Sequence, residues 1–168
     1  MNCKTIYLNA GPAPLHNMKL RDKVLAYLHS CNVLTLATNG EDGPWAAAVF
    51  YVNNDFNLFF LSDPATRHVL NISVNPQVAA TIQKDYKDWK KIKGIQLEGK
   101  VREVSGAKKA EAIARYLVKF PVIGKQTPIE ISQAMSKVDW YTLIPSAVYF
   151  IDNSLGLGHR EKVNLKIV

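Results

Sequence analysis

One stretch, Phe56 to Gln83 (FNLFFLSDPATRHVLNISVNPQVAATIQ), constrains the fold more than any other part of the chain. Its first residues, Phe56 to Leu61, form an aromatic and aliphatic run of strand length. Asp63-Pro64 then predicts a helix start, because the aspartate can accept from free N–H groups of the first turn and proline suits the first helical position. Asn75-Pro76 ends this helix, since the residue before a proline avoids helical geometry. A return strand is predicted over Gln77 to Gln83.

The predicted helix start is a candidate anion site. Arg67 and His68 fall within its first turn. A helix N-terminus offers unpaired N–H groups and a partial positive charge, and a neighbouring arginine adds charge-assisted hydrogen bonds. A phosphate group is the ligand that this arrangement suits. The alternative is a surface arginine on a short connecting helix, and the local sequence leaves both interpretations open.

The rest of the chain predicts an α+β fold built on a small antiparallel barrel. Further strands are expected over 33–38, 45–52, 94–104, and 140–144 with 147–151, the last pair broken or bulged at Pro145. Helices are expected over 18–30 with Asn17 as cap, from Ser105 to Phe120, and from the capping box at Thr127 to about Lys137. Closing six strands into a barrel would remove exposed strand edges. We expect one domain over residues 1–168, with residues 1–17 as an extended arm.

Composition limits the class of protein and its partners. The 168 residues are 48% hydrophobic and 21% charged, which is typical of a globular domain with a full core. The net charge of +7 favours anionic partners. Cys3 and Cys31 are too few for a disulfide framework. The opening residues lack a signal-peptide core, and no apolar run approaches the roughly 20 residues that span a bilayer. We therefore expect a cytoplasmic protein without a membrane partner.

Several common site patterns are absent from the sequence. There is no phosphate-loop pattern and no Gly-x-Ser-x-Gly, and Gly156-Leu157-Gly158 lacks the third glycine of a dinucleotide fingerprint. The four histidines share no metal-ligand spacing, so no metal site is predicted. No side chain stands out as a catalytic acid or base. Lysines alternate with Tyr86 and Trp89 over Lys84 to Lys93, which suits either a solvated hairpin end or a nucleic-acid surface.

A set of motifs, in this order and spacing, resembles the pyridoxamine 5′-phosphate oxidase-like, FMN-binding split-barrel family over about residues 20 to 160. The motifs are Ala47-Ala48-Val49-Phe50-Tyr51, Phe59-Phe60-Leu61-Ser62, Thr66-Arg67-His68, Asn75-Pro76-Gln77-Val78-Ala79 and Gly94 to Val101. The ending Asp152-Asn153-Ser154-Leu155-Gly156 resembles a small, uncharacterised branch of that family. The resemblance implies a six-stranded split barrel with peripheral helices, FMN as cofactor, and a homodimer with the flavin between two protomers.

The resemblance also implies roles for individual residues. Residues Ala47, Ala48, Val49, Phe50 and Tyr51 would line the isoalloxazine ring with their backbone, and Leu61 and Ser62 would border the ring and the ribityl chain. The phosphate would be held by Thr66, Arg67 and His68. Gln96 matches the family's glutamine on the long strand, and Trp140 and Arg160 are candidates to reach the flavin from the C-terminal region.

Three departures separate the chain from the family's enzyme. Ala46 stands where that enzyme has arginine, and His68 stands where it has lysine. At pH 7 an imidazole with a reference pKa of about 6.5 is mostly neutral. The C-terminal arginine-x-histidine substrate clamp has no match, because His159-Arg160 is adjacent and reversed. These departures argue against oxidation of pyridoxamine phosphate.

Three functions follow for testing. The first is a flavin-dependent oxidoreductase of unknown substrate, with a small-molecule substrate or an electron donor such as NADH or NADPH as partner. The second is a non-catalytic carrier or sensor of flavin or haem on the same fold, with His68 and His159 as candidate haem contacts. The third is a nucleic-acid-binding barrel, which is suggested by the net charge of +7 and by Tyr86 and Trp89 among Lys84, Lys87, Lys90, Lys91 and Lys93.

Overall fold

A computed structural model describes residues 19–121 and 137–166. The described strands are β1 (Val33–Gly40), β2 (Gly43–Asn54), β3 (Asn57–Ser62), β4 (Gln77–Gln83), β5 (Lys93–Glu103), β6 (Asp139–Asp152) and β7 (Arg160–Lys162). The described helices are α1 (Leu20–Ser30), α2 (Arg67–Val74) and α3 (Gly106–Lys119), with short 3₁₀ turns at Trp89–Lys91 and Asn153–Leu155. All strand pairs are antiparallel.

Six of these strands close into a barrel. Their order is β3-β2-β1-β4-β5-β6, and β3 returns to pair with β6. The first part of β6, Asp139–Leu143, pairs with β3, whereas Tyr149–Ile151 pairs with β7 along the same edge of β6. Because β3 and β7 pair with different parts of one edge of β6, the barrel is closed where β3 meets β6. It is split further along β6, where β7 is the neighbour instead. The prediction of a six-stranded α+β barrel is confirmed.

The barrel interior holds the main core. Leucines and isoleucines from alternating strand positions, with Phe60 and Phe150, are almost fully shielded from solvent. The long side chains of this set are Leu34, Leu36, Leu58, Ile82, Ile95 and Leu143. Each contributes about 1.5–3 kcal/mol relative to an exposed position. A second cluster forms where α3 covers the outside of the barrel, with Ala112 and Tyr116 packed against Val52, Phe59 and Trp140.

A buried ion cluster fixes α1 to the end of β6. The carboxylate of Asp152 is 1% exposed and lies 2.7 Å from Lys23 Nζ and 3.1 Å from Lys93 Nζ. Burial alone would raise the pKa of this carboxyl group. Hydrogen bonds from Lys23, Ser154 and Lys93 outweigh burial and hold the pKa well below its usual range. The cluster therefore joins a helix, a strand and the turn that follows β6.

The start of α2 differs from the sequence expectation. The helix begins at Arg67 and not at Asp63-Pro64. Asp63 Oδ1 accepts from the N–H of Ala65 at 2.8 Å, and its carbonyl accepts from the N–H of Thr66. This local bonding forms a turn that competes with helix formation, so Pro64 lies in the turn. Arg67 and His68 consequently become the first two helical residues.

Other element predictions have mixed outcomes. The bounds of β4 are as expected, and Asn75-Pro76 ends α2. β6 is continuous, because the irregularity near Pro145 is a bulge in the register opposite Glu98 and Gly99. The three-residue strand β7 is not predicted by sequence patterns. Three predicted features lie outside the described residues. They are the arm over 1–17, the Asn17 cap, and the helix from Thr127 except for its last predicted residue, Lys137.

Replacing Gly99 with alanine should lower stability by about 1–3 kcal/mol, the usual effect of overpacking. A Cβ at this position would lie 2.7 Å from the Cα of Pro145 and would also collide with the carbonyl of Ile144. Urea unfolding of Gly99→Ala measures the loss. Gly94→Ala in the same strand is the matched control, since its nearest contact is 3.4 Å away. Equal stability losses in both variants would contradict this explanation.

Candidate functional site

The first turn of α2 brings a histidine and two hydroxyl groups together. His68 is buried, and its Nε2 lies 2.8 Å from Ser62 Oγ, at the end of β3, and 3.3 Å from Thr66 Oγ1. Burial lowers the pKa of His68 below its usual value, so the ring is neutral at pH 7. A neutral imidazole is both a donor and an acceptor. The cluster is therefore a polar pocket without a fixed charge of its own.

Arg67 supplies the charge beside this cluster. Its Nη2 donates to the carbonyl of Asp42 at 2.8 Å, and its guanidinium carbon lies 4.6 Å from the centre of the Trp45 ring. Its Nε is shielded from solvent and has no hydrogen-bond partner among the described residues. A buried donor without a partner costs about 1–3 kcal/mol. The guanidinium is thus held against the β1–β2 hairpin, and only one of its five N–H groups has a hydrogen-bond partner among the described residues.

The helix end adds further donors. Thr66 is the N-cap residue of α2 but makes no side-chain capping hydrogen bond. The first N–H groups of a helix attract anions, and the helix dipole reinforces that preference. Arg67 stands at the first helical position. The first turn of α2 therefore presents backbone donors at the residue that carries the guanidinium.

Contacts behind the site hold α2 in position. Asn71 Nδ2 donates to Thr38 Oγ1 at 3.1 Å, and both residues are buried. Gly40, the last residue of β1, lies against Asn71 so closely that any Cβ would collide with the amide. This packing sets the distance between α2 and the hairpin that carries Asp42 and Trp45. Sequence patterns do not reveal that Asn71 contacts Thr38 and Gly40. A glycine directly before a two-residue turn indicates only that another part of the chain comes close to the backbone there.

Strand β2, which was predicted to line the isoalloxazine ring, presents two different faces. Ala48 and Phe50 are exposed on the outer face of β2, whereas Val49 and Tyr51 point into the barrel. Tyr51 is fully buried, and its hydroxyl donates to the carbonyl of Leu28 at 2.7 Å. Ala47 is half-buried. The backbone of Tyr51 is engaged as well, because its N–H donates to the carbonyl of Asn32 and its carbonyl accepts from Lys119 Nζ, both at 3.1 Å.

The remaining predicted residues lie at different places. Leu61 is half-buried and pairs across the sheet with Trp140. Trp140 is 1% exposed within the second core cluster, and its Nε1 has no hydrogen-bond partner among the described residues. Gln96 is exposed on β5, and Arg160 is exposed on β7. The α2 cluster consists of Ser62, Thr66 and His68. Among the described residues, no hydrogen bond joins Gln96 or Arg160 to it.

A shallow cavity of about 410 Å³ opens on the outer face of the sheet. It is lined mainly by small side chains of β1, β4 and β5, with Thr38 and Pro44 at the hairpin end. The neighbouring outer face carries Val33 and Phe50, which pair across β1 and β2 and are 39% and 54% exposed. Glu98, Asn39 and Gln77 add polar and charged groups to the cavity wall. The apolar part of this face is therefore limited to the neighbourhood of Val33 and Phe50.

Comparison with known proteins identifies the family. The family model described as pyridoxamine 5′-phosphate oxidase matches residues 20–152, which span the barrel and the α2 cluster. The chain belongs to the pyridoxamine 5′-phosphate oxidase family. The resemblance inferred from the sequence motifs is thereby confirmed.

The chain is also similar to individual proteins and solved structures. It is 38% identical over 137 residues to a UPF0306 protein of Photorhabdus laumondii, covering 80% of this chain and 88% of the relative. The crystal structure of the conserved hypothetical protein Rv2991 from Mycobacterium tuberculosis aligns with a TM-score of 0.70 at 20% identity, over 84% and 91% of the two chains. HutZ, described as the haem storage protein of Vibrio cholerae, aligns with a TM-score of 0.62 at 23% identity, over 77% and 92%. These two structures share the fold.

Two further observations concern membranes and metals. Among the residues that the structure describes, no helix has the length and apolar character needed to cross a membrane. Over the same residues, no three or more His, Cys, Asp or Glu side chains are grouped so that they could hold a metal ion.

Proposed function

We propose that this member of the pyridoxamine 5′-phosphate oxidase family binds FMN as a homodimer and acts as a flavin-dependent oxidoreductase on an unidentified small molecule. One observation carries the proposal. Arg67 is the first residue of the uncapped helix α2, and the next residue, His68, contacts the hydroxyls of Ser62 and Thr66. This donor set suits a phosphate monoester.

The residues present fit the cofactor at both ends. Arg67, Thr66 and the first turn of α2 would hold the phosphate. The small outward side chains Ala46 and Ala48 leave the backbone of β2 open to a flat ring. When bound, FMN supplies the electron transfer, while the protein contributes position and electrostatics. The chain's own residues would orient the cofactor through hydrogen bonds and shield it from water.

A second copy of the chain would complete the site. Val33 and Phe50 leave an apolar area on the outer face, next to the strand that would line the flavin. Burying such an area against a copy of itself would remove it from water and enclose the ring. Sedimentation at micromolar concentration should report a dimer, and a monomer that binds FMN with full affinity would contradict this part of the proposal.

The proposal is tested by titrating the protein with FMN and with riboflavin, which lacks the phosphate. We expect FMN to bind with quenched flavin fluorescence and riboflavin to bind at least tenfold more weakly. Equal affinities would show that the α2 site does not recognise phosphate. Absence of any FMN binding would overturn the proposal. Reduction of the bound flavin by NADH or NADPH, followed by oxidation by candidate acceptors, then tests the enzymatic part.

FMN affinity should rise by up to about tenfold as the pH falls from about 7.5 to about 5.5. Burial lowers the pKa of His68, so the ring in the ligand-free protein is protonated less readily than a free imidazole throughout this range. A bound phosphate beside the ring favours its protonated form, and binding then takes up a proton. Fluorescence titrations at several pH values measure the effect.

His68→Gln is the control for this pH dependence. It keeps a hydrogen-bonding side chain and reports the titration of the FMN phosphate alone. A steep pH dependence in His68→Gln would contradict the role of His68. Stability must be followed in parallel, because a lowered folded pKa means that the unfolded chain binds protons more readily, so the ligand-free protein loses stability as pH falls below about 6.5.

Haem binding is the second candidate, favoured by the structural likeness to the haem storage protein of Vibrio cholerae. His159 is the more accessible candidate ligand, because its side chain is 37% exposed whereas His68 is buried, although the Nε2 of His159 lies 3.2 Å from Glu161 Oε1. Titration with haemin gives a Soret band if this candidate holds. Loss of that band in His159→Ala but not in His68→Gln would support it over FMN binding.

A further inference from the structure

Two 3₁₀ turns on the far side of β6 form one continuous surface. The N–H of Asn153 donates to the carbonyl of Ile92 at 2.9 Å, and its Nδ2 donates to the carbonyl of Trp89 at 2.9 Å. Its Oδ1 accepts from the N–H of Gly158 at 3.1 Å. One buried asparagine thus fastens the turn at 89–91 to the loop at 153–158. We call residues 84–92 and 153–158 the double-turn surface.

Large apolar side chains project from this surface. Trp89 and Leu155 are 52% and 51% exposed, and Leu157 is 79% exposed. Ile92 adds a smaller exposed area between them. Isolated exposed leucines are common, but several grouped on two rigidly joined turns mark an interaction surface. Since the core does not use these side chains, their role lies outside the barrel.

Positive charge surrounds the apolar group. Lys84, Lys87, Lys90 and Lys91 are exposed, and they outnumber the two acidic residues of the same segment, Asp85 and Asp88. Asp88 is already engaged, because its Oδ1 accepts from the N–H of Lys90 at 3.0 Å to cap the turn. On the other flank, Arg160 and Lys162 outnumber Glu161. The surface is therefore apolar at its tip and basic at its rim.

We propose that the double-turn surface binds the headgroup layer of a membrane that contains anionic phospholipids. Lysines gain from the negative lipid surface, and tryptophan and leucine side chains enter the boundary between headgroups and acyl chains. Nucleic acid fits less well, because Leu155 and Leu157 cannot stack on bases as aromatic rings do. The sequence expectation of no membrane partner was drawn from the lack of a spanning segment, and a surface contact needs none.

Co-sedimentation of the full chain with lipid vesicles tests the proposal. Vesicles made of phosphatidylcholine and phosphatidylglycerol in equal parts should bind the protein, and vesicles of phosphatidylcholine alone should not. Raising the salt concentration should weaken binding, since exposed charges are screened. Each lysine near such a surface is worth roughly fivefold in affinity, so Lys90→Gln with Lys91→Gln should weaken binding by about twenty-fivefold.

Two serine variants separate insertion from simple charge attraction. Leu155→Ser with Leu157→Ser should reduce vesicle binding by about tenfold or more, because two exposed apolar anchors are lost. Val118→Ser is the matched control, as Val118 is 84% exposed on α3, away from the double-turn surface. It should bind vesicles as the unmodified chain does. Brominated acyl chains should quench the fluorescence of Trp89, and Trp89→Phe should remove that quenching.

Three results would overturn the proposal. The first is absence of binding to the anionic vesicles at low salt. The second is vesicle binding that is unchanged in both the leucine and the lysine variants. The third is binding to a single-stranded oligonucleotide or an acidic peptide that depends on the same lysines but not on the leucines. Circular dichroism confirms that each variant is folded, and FMN titration is independent of every outcome.

Discussion

Arg67→Ala should lower the affinity for FMN by about ten- to a hundredfold. A charge-assisted hydrogen bond to a phosphate is worth roughly 1.5–3 kcal/mol, and each 1.4 kcal/mol corresponds to a factor of ten. Arg67 is the cation at the start of α2, where the neighbouring histidine is neutral. Fluorescence titration with FMN gives the affinity. Riboflavin affinity should change little, because riboflavin has no phosphate for the guanidinium to contact.

Two variants test whether the loss of FMN affinity in Arg67→Ala reflects the missing phosphate contact and not a change in the structure. Arg67→Lys keeps the charge but loses the planar fork, so it should recover only part of the lost affinity. Arg102→Ala removes an exposed arginine from β5 and should leave FMN binding unchanged. Arg67 also contacts Asp42 and Trp45, so unfolding curves must show that Arg67→Ala remains folded. Unchanged FMN affinity in a folded Arg67→Ala protein would exclude the α2 phosphate site.

Asp152→Asn should destabilise the protein by about 3–5 kcal/mol. Removing one member of a buried ion cluster leaves the other charges uncompensated, and Lys23 and Lys93 are only 16% and 30% exposed. A loss of this size is a large share of the 5–15 kcal/mol that stabilises a typical domain. Urea unfolding at neutral pH measures it. Asp55→Asn is the matched control, since the Arg21–Asp55 pair is more exposed and should cost less than about 1 kcal/mol.

The same cluster predicts loss of stability in acid. Hydrogen bonds hold the folded pKa of Asp152 below the ordinary value of about 3.9. The stabilisation is therefore complete above that value and disappears as pH falls below it, because the unfolded chain binds the proton more readily. Urea unfolding at several pH values should show that the difference in unfolding free energy between the unmodified chain and Asp152→Asn narrows as pH falls from about 4 to about 2. A difference that stays constant over this range would contradict the assignment.

Local patterns were sufficient to predict the barrel. The alternation along β5 predicts one wet and one dry face, and the structure buries Ile95, Leu97 and Val101 accordingly. Turn residues divide the chain into hairpins, and hairpins favour antiparallel neighbours. These signals depend on only a few neighbouring residues, so they can be interpreted without knowledge of the tertiary structure.

Features that depend on distant partners were not predictable. The start of α2 is a local exception, because Asp63 forms a turn that capping rules do not distinguish from a helix start. β7 is three residues long and exists because β6 offers it an edge. Arg67 contacts the carbonyl of Asp42, 25 residues earlier, which no periodicity encodes. Short strands and long-range polar contacts need the assembled barrel, and the candidate site is built from them.

The shared edge of β6 has a further consequence for how this protein behaves in concentrated solution. Between the parts that meet β3 and β7, residues 144–147 have no strand beside them on that edge among the described residues. An open stretch of this kind invites a strand from another molecule and so promotes aggregation. Pro145 has no N–H to give an incoming strand, and the bulge at Ser146 bends the backbone. Pro145 and the bulge therefore hinder a strand of another molecule from pairing with this open part of the β6 edge.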